Sequence, residues 1–454
     1  MRFRQIVLGA AVLAVLSVPA RGDSAPQEYD LPACIRASLA NDPDLQAAAA
    51  DVALARARLA EAESARWGQS EYNQVLSFVP EAKGDILDPP QENRNAIFRN
   101  LGPFTQIDLS INIPLWTFGK LAAALEAAQK GLEAQQLGGE VKRAEVVLQV
   151  KRLYYGLQLA EQLAAVLRDM LNNMDTAVKK AQERLDRGSS AVTEIDVLKL
   201  RTGRARFAKG VAEVEGSAAL ARSALARAIG LDVTAPFQIA DRRLQPVEVT
   251  IESLEQYLAE GPDRRPEGRQ IESGVAAQAA KVDLEEAGLY PSIFLATGFQ
   301  YAVAPNRTRQ RNPFAFESFN YERPIGALGI HWDLNFFQNN AKVEQARADL
   351  ERLRAQQRSA VSGLRLEIQK AYLDVAQARN TIQATDDGRR AGRALLVLSV
   401  SNFDLAIGEA EELFKGLGAY TEASTDYFRA VHDFNVAVGA LSRAVGRELT
   451  GLEY

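Results

Sequence analysis

The sequence predicts a mainly α-helical, elongated protein with a small membrane β-sheet, built as an internal tandem duplication. Three observations predict it: matching segments about 220 residues apart, long proline-free stretches carrying heptad seams, and short, strictly alternating runs joined by long connections.

The duplication is read by self-comparison. Pro43 and Pro266 are 223 residues apart, as are Trp67 and Tyr290; Tyr154 and Tyr372 are 218 apart, and Gly230 and Gly446 are 216 apart. Ala122 to Ala127 matches Ala341 to Ala346 at a shift of 219. The repeats are placed at 21–230 and 251–446, with an inter-repeat segment at 231–250, of which Asp232 to Gln245 is expected to pack outside the tube, and a tail at 447–454. Each repeat carries a helix, two strands, then a long helix and its return.

The long helices follow from spacing. Leu157, Ala160, Ala164, Leu167, Leu171, Met174, Val178, Ala181 and Leu185 alternate intervals of three and four, which is a heptad seam. Leu413, Leu417, Tyr420, Ser424, Tyr427, Val431, Phe434, Val438, Leu441 and Val445 return it in the second half. The helical hairpins are placed at 118–230 and 338–446. An unbroken helix from Phe118 to Leu185 would be about 100 Å long, with Gly138-Gly139 as the place where it could loosen. These stripes are helix-helix core and mark no cofactor.

The strands are placed near 72–79, 104–116, 292–302 and 326–336. Ile107, Leu109, Ile111 and Ile113 alternate with Gln106, Asp108, Ser110 and Asn112; Leu328, Ile330, Trp332 and Leu334 alternate with Gly329, His331, Asp333 and Asn335. One face suits apolar surroundings and the other water. The connections, about Pro80 to Pro103 and Val303 to Pro324, are long for soluble hairpins and suit the outer loops of an outer-membrane barrel. Four strands cannot close a barrel, and open edges are costly in lipid, so the chain must oligomerise. Charged helix faces rich in Lys, Arg, Glu and Gln place the helices in an aqueous compartment.

Composition narrows the function. The chain has 454 residues, a formal charge of −5, two histidines (His331 and His432) and one cysteine, Cys34. That balance argues against nucleic-acid binding. A disulfide framework is impossible, and a His/Cys zinc site close to excluded. Arg2 and Arg4, the apolar core Ile6 to Val18 and the small-residue site ending at Ala20 read as a signal peptide, 1–20. Cys34 is expected to be a buried cysteine on the first helix. No phosphate loop, nucleophile elbow or His-Glu-x-x-His motif occurs, so no enzyme activity, cofactor or metal is expected.

Leu31 to Leu45, with its Asn41-Asp42-Pro43-Asp44-Leu45 turn, Arg265-Pro266-Glu267, Tyr290-Pro291-Ser292-Ile293 and Pro114-Leu115-Trp116-Thr117-Phe118-Gly119 occur in an order that resembles the TolC-type outer-membrane efflux proteins. The resemblance covers about Tyr29 to Gly446. It implies a homotrimer whose three sets of four strands form a 12-stranded outer-membrane barrel, continued by an α-helical tunnel through the periplasm. It further implies a passive exit duct of a tripartite efflux or type I secretion system. The partners would be outer-membrane lipid, a periplasmic adaptor and a proton- or ATP-driven inner-membrane pump. A soluble periplasmic coiled-coil scaffold is the alternative, but it leaves the alternating apolar faces exposed.

The resemblance also marks site residues. Adaptor docking would fall at the helix-turn tips, on Arg184, Arg187, Gly188, Ser189 and Thr193 in the first and Ile407 and Gly408 in the second. Gly188 and Thr193 match a family tip pattern, while in the second repeat Gly408 matches but Leu413 replaces the Thr. Some family members narrow the entrance with aspartate rings where this chain has Phe414 and Leu417. Glu194, Asp196, Glu409, Glu411 and Glu412 are the substitute candidates for an acidic, cation-sensitive entrance gate. The lumen-facing strand candidates are Asp108, Asn112, His331 and Asp333.

Overall fold

The computed structural model describes residues 27–84, 100–189 and 192–454. The expected signal peptide and part of the first outer connection lie outside the described residues. Helix α1 (Leu31–Asn41) is followed by α2 (Pro43–Ser64), and a short 3-10 turn at Ala65–Trp67 leads into the strands. The expected opening helix is therefore two. Pro43 starts α2 and cannot continue α1, and the Asp42 carboxylate accepts the Asp44 and Leu45 N–H groups. In the second repeat α5 (Leu254–Arg264) and α6 (Pro266–Ala287) break at Pro266 in the same way.

The long helices are α3 (Lys120–Asp186, 67 residues) and α7 (Phe336–Asp404, 69 residues), each about 100 Å long at 1.5 Å per residue. Their returns are α4 (Glu194–Ala228) and α8 (Ala410–Ala444). Gly138 and Gly139 do not loosen α3. A Cβ on Gly138 would fall 2.8 Å from Gln270 Nε2, so that glycine admits α6 rather than a break. Each long helix is flanked by two shorter ones, α3 by α2 and α4, and α7 by α6 and α8. Contacts of α3 with α6 and α8 bind the repeats into one body.

The seams read from the sequence form the core. Leu157, Met174, Ala181, Leu417, Val431, Val438 and Leu441 are fully buried. Near the tips Met170, Met174, Leu200, Phe403, Leu413 and Leu417 form one cluster from α3, α4, α7 and α8. At mid-length Cys34, Ile35, Val150, Tyr154, Leu225 and Val431 form another, and burial pushes the Cys34 thiol up to about 12. There β1 (Gln27–Tyr29) pairs in parallel with β4 (Phe237–Ile239), which belongs to the inter-repeat segment. Lys151 Nζ donates at 2.6 Å to Glu448 and holds the tail.

Strands β2 (Gln69–Pro80), β3 (Leu101–Trp116), β5 (Ser292–Val303) and β6 (Tyr321–His331) form one antiparallel sheet in the order β2-β3-β5-β6. Both edges, β2 and β6, are unpaired among the described residues of the single chain. β2 and β3 begin earlier than the alternation indicates. β6 is displaced from the expected 326–336: Trp332, Asp333, Leu334 and Asn335 lie past its end. Asp333 Oδ1 accepts the Asn335 N–H at 3.0 Å, an Asx turn that stops the strand and leads into α7. Asp333 is therefore a turn residue and not a strand residue.

Candidate functional site

The register decides what each face of the sheet carries. Ile107, Leu109, Ile111 and Ile113 share a face with Tyr72, Leu76, Leu295, Phe299, Leu328 and Ile330. The other face carries Glu71, Asn73, Gln106, Asp108, Ser110, Asn112, Gln300 and Arg323. Asp108 and Asn112 thus share a polar face, with Gln106 Nε2 donating to Asp108 at 2.7 Å. His331, opposite Ser292, lies on the same face at the last position of β6. A sheet with one apolar and one polar face fits a wall between lipid and water. Among the described residues no helix is long and apolar enough to cross a membrane.

An aromatic belt marks where the sheet meets the helices, and reading single motifs missed it. All three tryptophans, Trp67, Trp116 and Trp332, lie at strand-helix junctions. Phe118 stacks on Tyr290 at 5.6 Å and meets Trp116 edge-on; Trp332 meets Phe336 edge-on and donates its indole N–H to the Leu289 carbonyl. Arg66 lies over Trp67 at 5.1 Å. Trp and Tyr concentrate at the headgroup level because their rings are apolar and their N–H or O–H is not. Part of the signal was available: Trp116 ends a predicted strand, whereas Trp67 precedes one and Trp332 fell inside another.

At the opposite end the structure brings the two tips together. Arg184 donates to the Phe403 and Asp404 carbonyls, both at 2.7 Å, and Lys180 meets the Asp404 carboxylate at 2.7 Å. Arg184 thereby places its positive charge on the carbonyls at the negative end of α7. Lys199 of α4 reaches Glu411 of α8 at 3.8 Å.

The tip turns differ in length, spanning 187–193 and 405–409. Gly188 has φ 73°, and the residue at the same distance past its helix is Ala406, φ 61°. The expected pairing of Gly188 with Gly408 is thus displaced by two positions. Gly408 instead admits a close approach, since a Cβ there would fall 2.9 Å from that of Asn402. Thr193 caps α4, and its counterpart as N-cap of α8 is Glu409, not Leu413. Ser189 N–H closes the first turn on the Arg184 carbonyl, and exposed Arg187 meets Glu183 at 3.7 Å. Ile407 is 73% exposed, available to a partner.

The acidic candidates divide. Asp196 is held below the usual carboxylate range by the Thr193 hydroxyl and backbone N–H, in a reciprocal capping box. Glu411 is held low by Lys415 at 2.9 Å and by Lys199. Glu194, Glu409 and Glu412 are exposed and, among the described residues, make no ion pair. Phe414 packs edge-on against Phe207 and over Gly203, and Leu417 is fully buried.

A family model described as "Outer membrane efflux protein" matches residues 94–231 and 262–400, once in each repeat. The chain belongs to the outer membrane efflux protein family, whose members are transport ducts rather than enzymes. It is a protein of the bacterial outer membrane, with its helical part in the periplasm. Protein CyaE of Bordetella pertussis is 25% identical over 338 residues, 73% of this chain and 68% of that protein. Cation efflux system protein CusC of Escherichia coli is 24% identical over 393 residues, 86% of this chain and 77% of that one. The Campylobacter jejuni CmeC outer membrane channel superposes with a TM-score of 0.75 at 14% identity, over 99% of this chain and 96% of that one. CusC superposes at 0.74 with 18% identity, over 93% of each. At these identities the solved structures establish the fold.

Proposed function

We propose that three copies of this chain close a 12-stranded barrel and a helical tunnel, forming the passive outer-membrane exit duct of a tripartite efflux or secretion assembly. The observation that carries this reading is the open sheet: among the described residues β2 and β6 have unpaired edges beside an apolar face. Edge peptide groups left unpaired in hydrocarbon cost several kcal/mol each, so edge-to-edge pairing between copies is strongly favoured. The polar face, with Asp108, Asn112 and His331, then lines the lumen. The joined tips, through Arg184, Arg187, Gly188, Ser189, Thr193, Ile407 and Gly408, dock on a periplasmic adaptor, which connects the duct to an inner-membrane pump.

Glu194, Glu409 and Glu412 form the acidic entrance in this reading. Asp196 and Glu411 have structural partners and contribute less. Like charges repeated around a symmetry axis focus potential. Glu194→Gln/Glu409→Gln/Glu412→Gln should weaken divalent-cation block in planar bilayers; identical block would remove the gate from the account. For the duct itself, sarkosyl-insoluble recovery of an oligomer that dissociates only on boiling is expected. A monomer in the soluble periplasmic fraction would favour a scaffold instead.

A further inference from the structure

The connection between β5 and β6, residues 304–320, does not stand away from the sheet. Asn306 Nδ2 donates to the Val79 carbonyl at 2.8 Å and to the Asn100 carbonyl at 3.2 Å. Arg307 donates to the Pro80 carbonyl at 2.8 Å and lies 4.0 Å over the Phe319 ring, which meets Phe104 edge-on. Phe104 and Gly102 alternate onto the polar face with Gln106 and Asp108, so the loop folds across that face. A Cβ on Gly102 would fall 2.3 Å from the Asn306 side chain, and only glycine admits this approach. Ala302, also on the polar face, is 2% exposed beneath the loop. With the polar face turned inward, a loop anchored there narrows the outer mouth of the barrel.

Its charges are one-sided. Arg307, Arg309, Arg311 and Arg323 make no carboxylate ion pair among the described residues, and Arg309 and Arg311 are exposed. Arg323 uses its guanidinium on the Glu317 carbonyl and stacks on Tyr321 at 4.1 Å. The Glu317 carboxylate accepts the N–H groups of Gln310, Phe319 and Asn320. The loop's one acidic group is thus spent on shaping it and on Arg307, while exposed Arg309 and Arg311 make no ion pair among the described residues.

We propose that residues 304–320 form a cationic selectivity collar at the outer mouth, with Arg309 and Arg311 attracting anionic solutes and disfavouring small cations. The inference rests on the trimeric-duct reading. Repeated around the axis, these guanidinium groups concentrate positive potential at the outer mouth.

The test uses the full-length protein in planar bilayers under a potassium chloride gradient, with tripolyphosphate added on the barrel side. Arg309→Gln/Arg311→Gln should raise the potassium-to-chloride permeability ratio about threefold and weaken tripolyphosphate block about tenfold. Because both side chains are exposed, the variant should keep its boiling-sensitive oligomer. Replacing 305–319 by a short Gly-Ser link should raise conductance as well as abolish the block. Unchanged selectivity and block in conducting Arg309→Gln/Arg311→Gln channels would overturn the collar and leave the duct standing. Absence of any conducting oligomer from the wild-type protein would overturn the duct reading and the collar with it.

Discussion

Ala406 occupies the left-handed region at φ 61°, where an L side chain costs about 1 kcal/mol or more. Ala406→Gly should therefore slow amide exchange in the second tip by roughly 0.5–1 kcal/mol; faster exchange there would contradict the assignment. The position was hidden in the sequence because the tips differ in length, so alignment on glycines paired Gly188 with Gly408. Thr193 was recognised, but as part of a docking pattern rather than as the N-cap it is. Thr193→Ala should cost about 1 kcal/mol in α4 stability, read from amide exchange in its first turn. The carboxyl of Asp196 is held below its ordinary value, so its contribution is full above the ordinary Asp range, about pH 4, and is lost as pH falls through its lowered value. First-turn protection that rises on acidification would refute the capping role.

At the scale of elements, the sheet faces and the tail each yield an expectation. Leu109 lies on the apolar face and Ser110, paired with Glu71, on the polar one. Leu109→Lys should cost about 2–4 kcal/mol near mid-membrane and reduce the assembled oligomer, whereas Ser110→Lys should be tolerated; equal yields on gels without boiling would contradict the assignment of faces. Lys151, 3% exposed in its side chain, pairs with Glu448 at 2.6 Å. Glu448→Ala leaves that ammonium uncompensated and should cost about 3–5 kcal/mol in denaturant unfolding, with most of the loss recovered in Lys151→Met/Glu448→Ala. Burial raises the Glu448 carboxyl but Lys151 outweighs it, so this stability too is present at neutral pH and lost on acidification.

Strand faces and helix seams were legible because both rest on local periodicity. The end of β6 was not, since an Asx turn at Asp333 overrides an alternation that continues through Leu334. Nor was the inward fold of 304–320 legible, because it depends on Asn306 meeting Gly102, a contact between residues about 200 apart in the chain.

At the scale of the molecule, the duplication and the length of α3 and α7 set the shape. An apolar sheet wall at one end, an aromatic belt beneath it and charged helices beyond place one end in lipid and the other in water. Among its described residues the single chain leaves β2 and β6 as open edges, and closure is the property on which conduction depends. Native mass spectrometry of the detergent-extracted protein tests closure most directly. The account predicts a complex of three times the subunit mass that falls to single subunits on boiling; stable monomers soluble without detergent would contradict it.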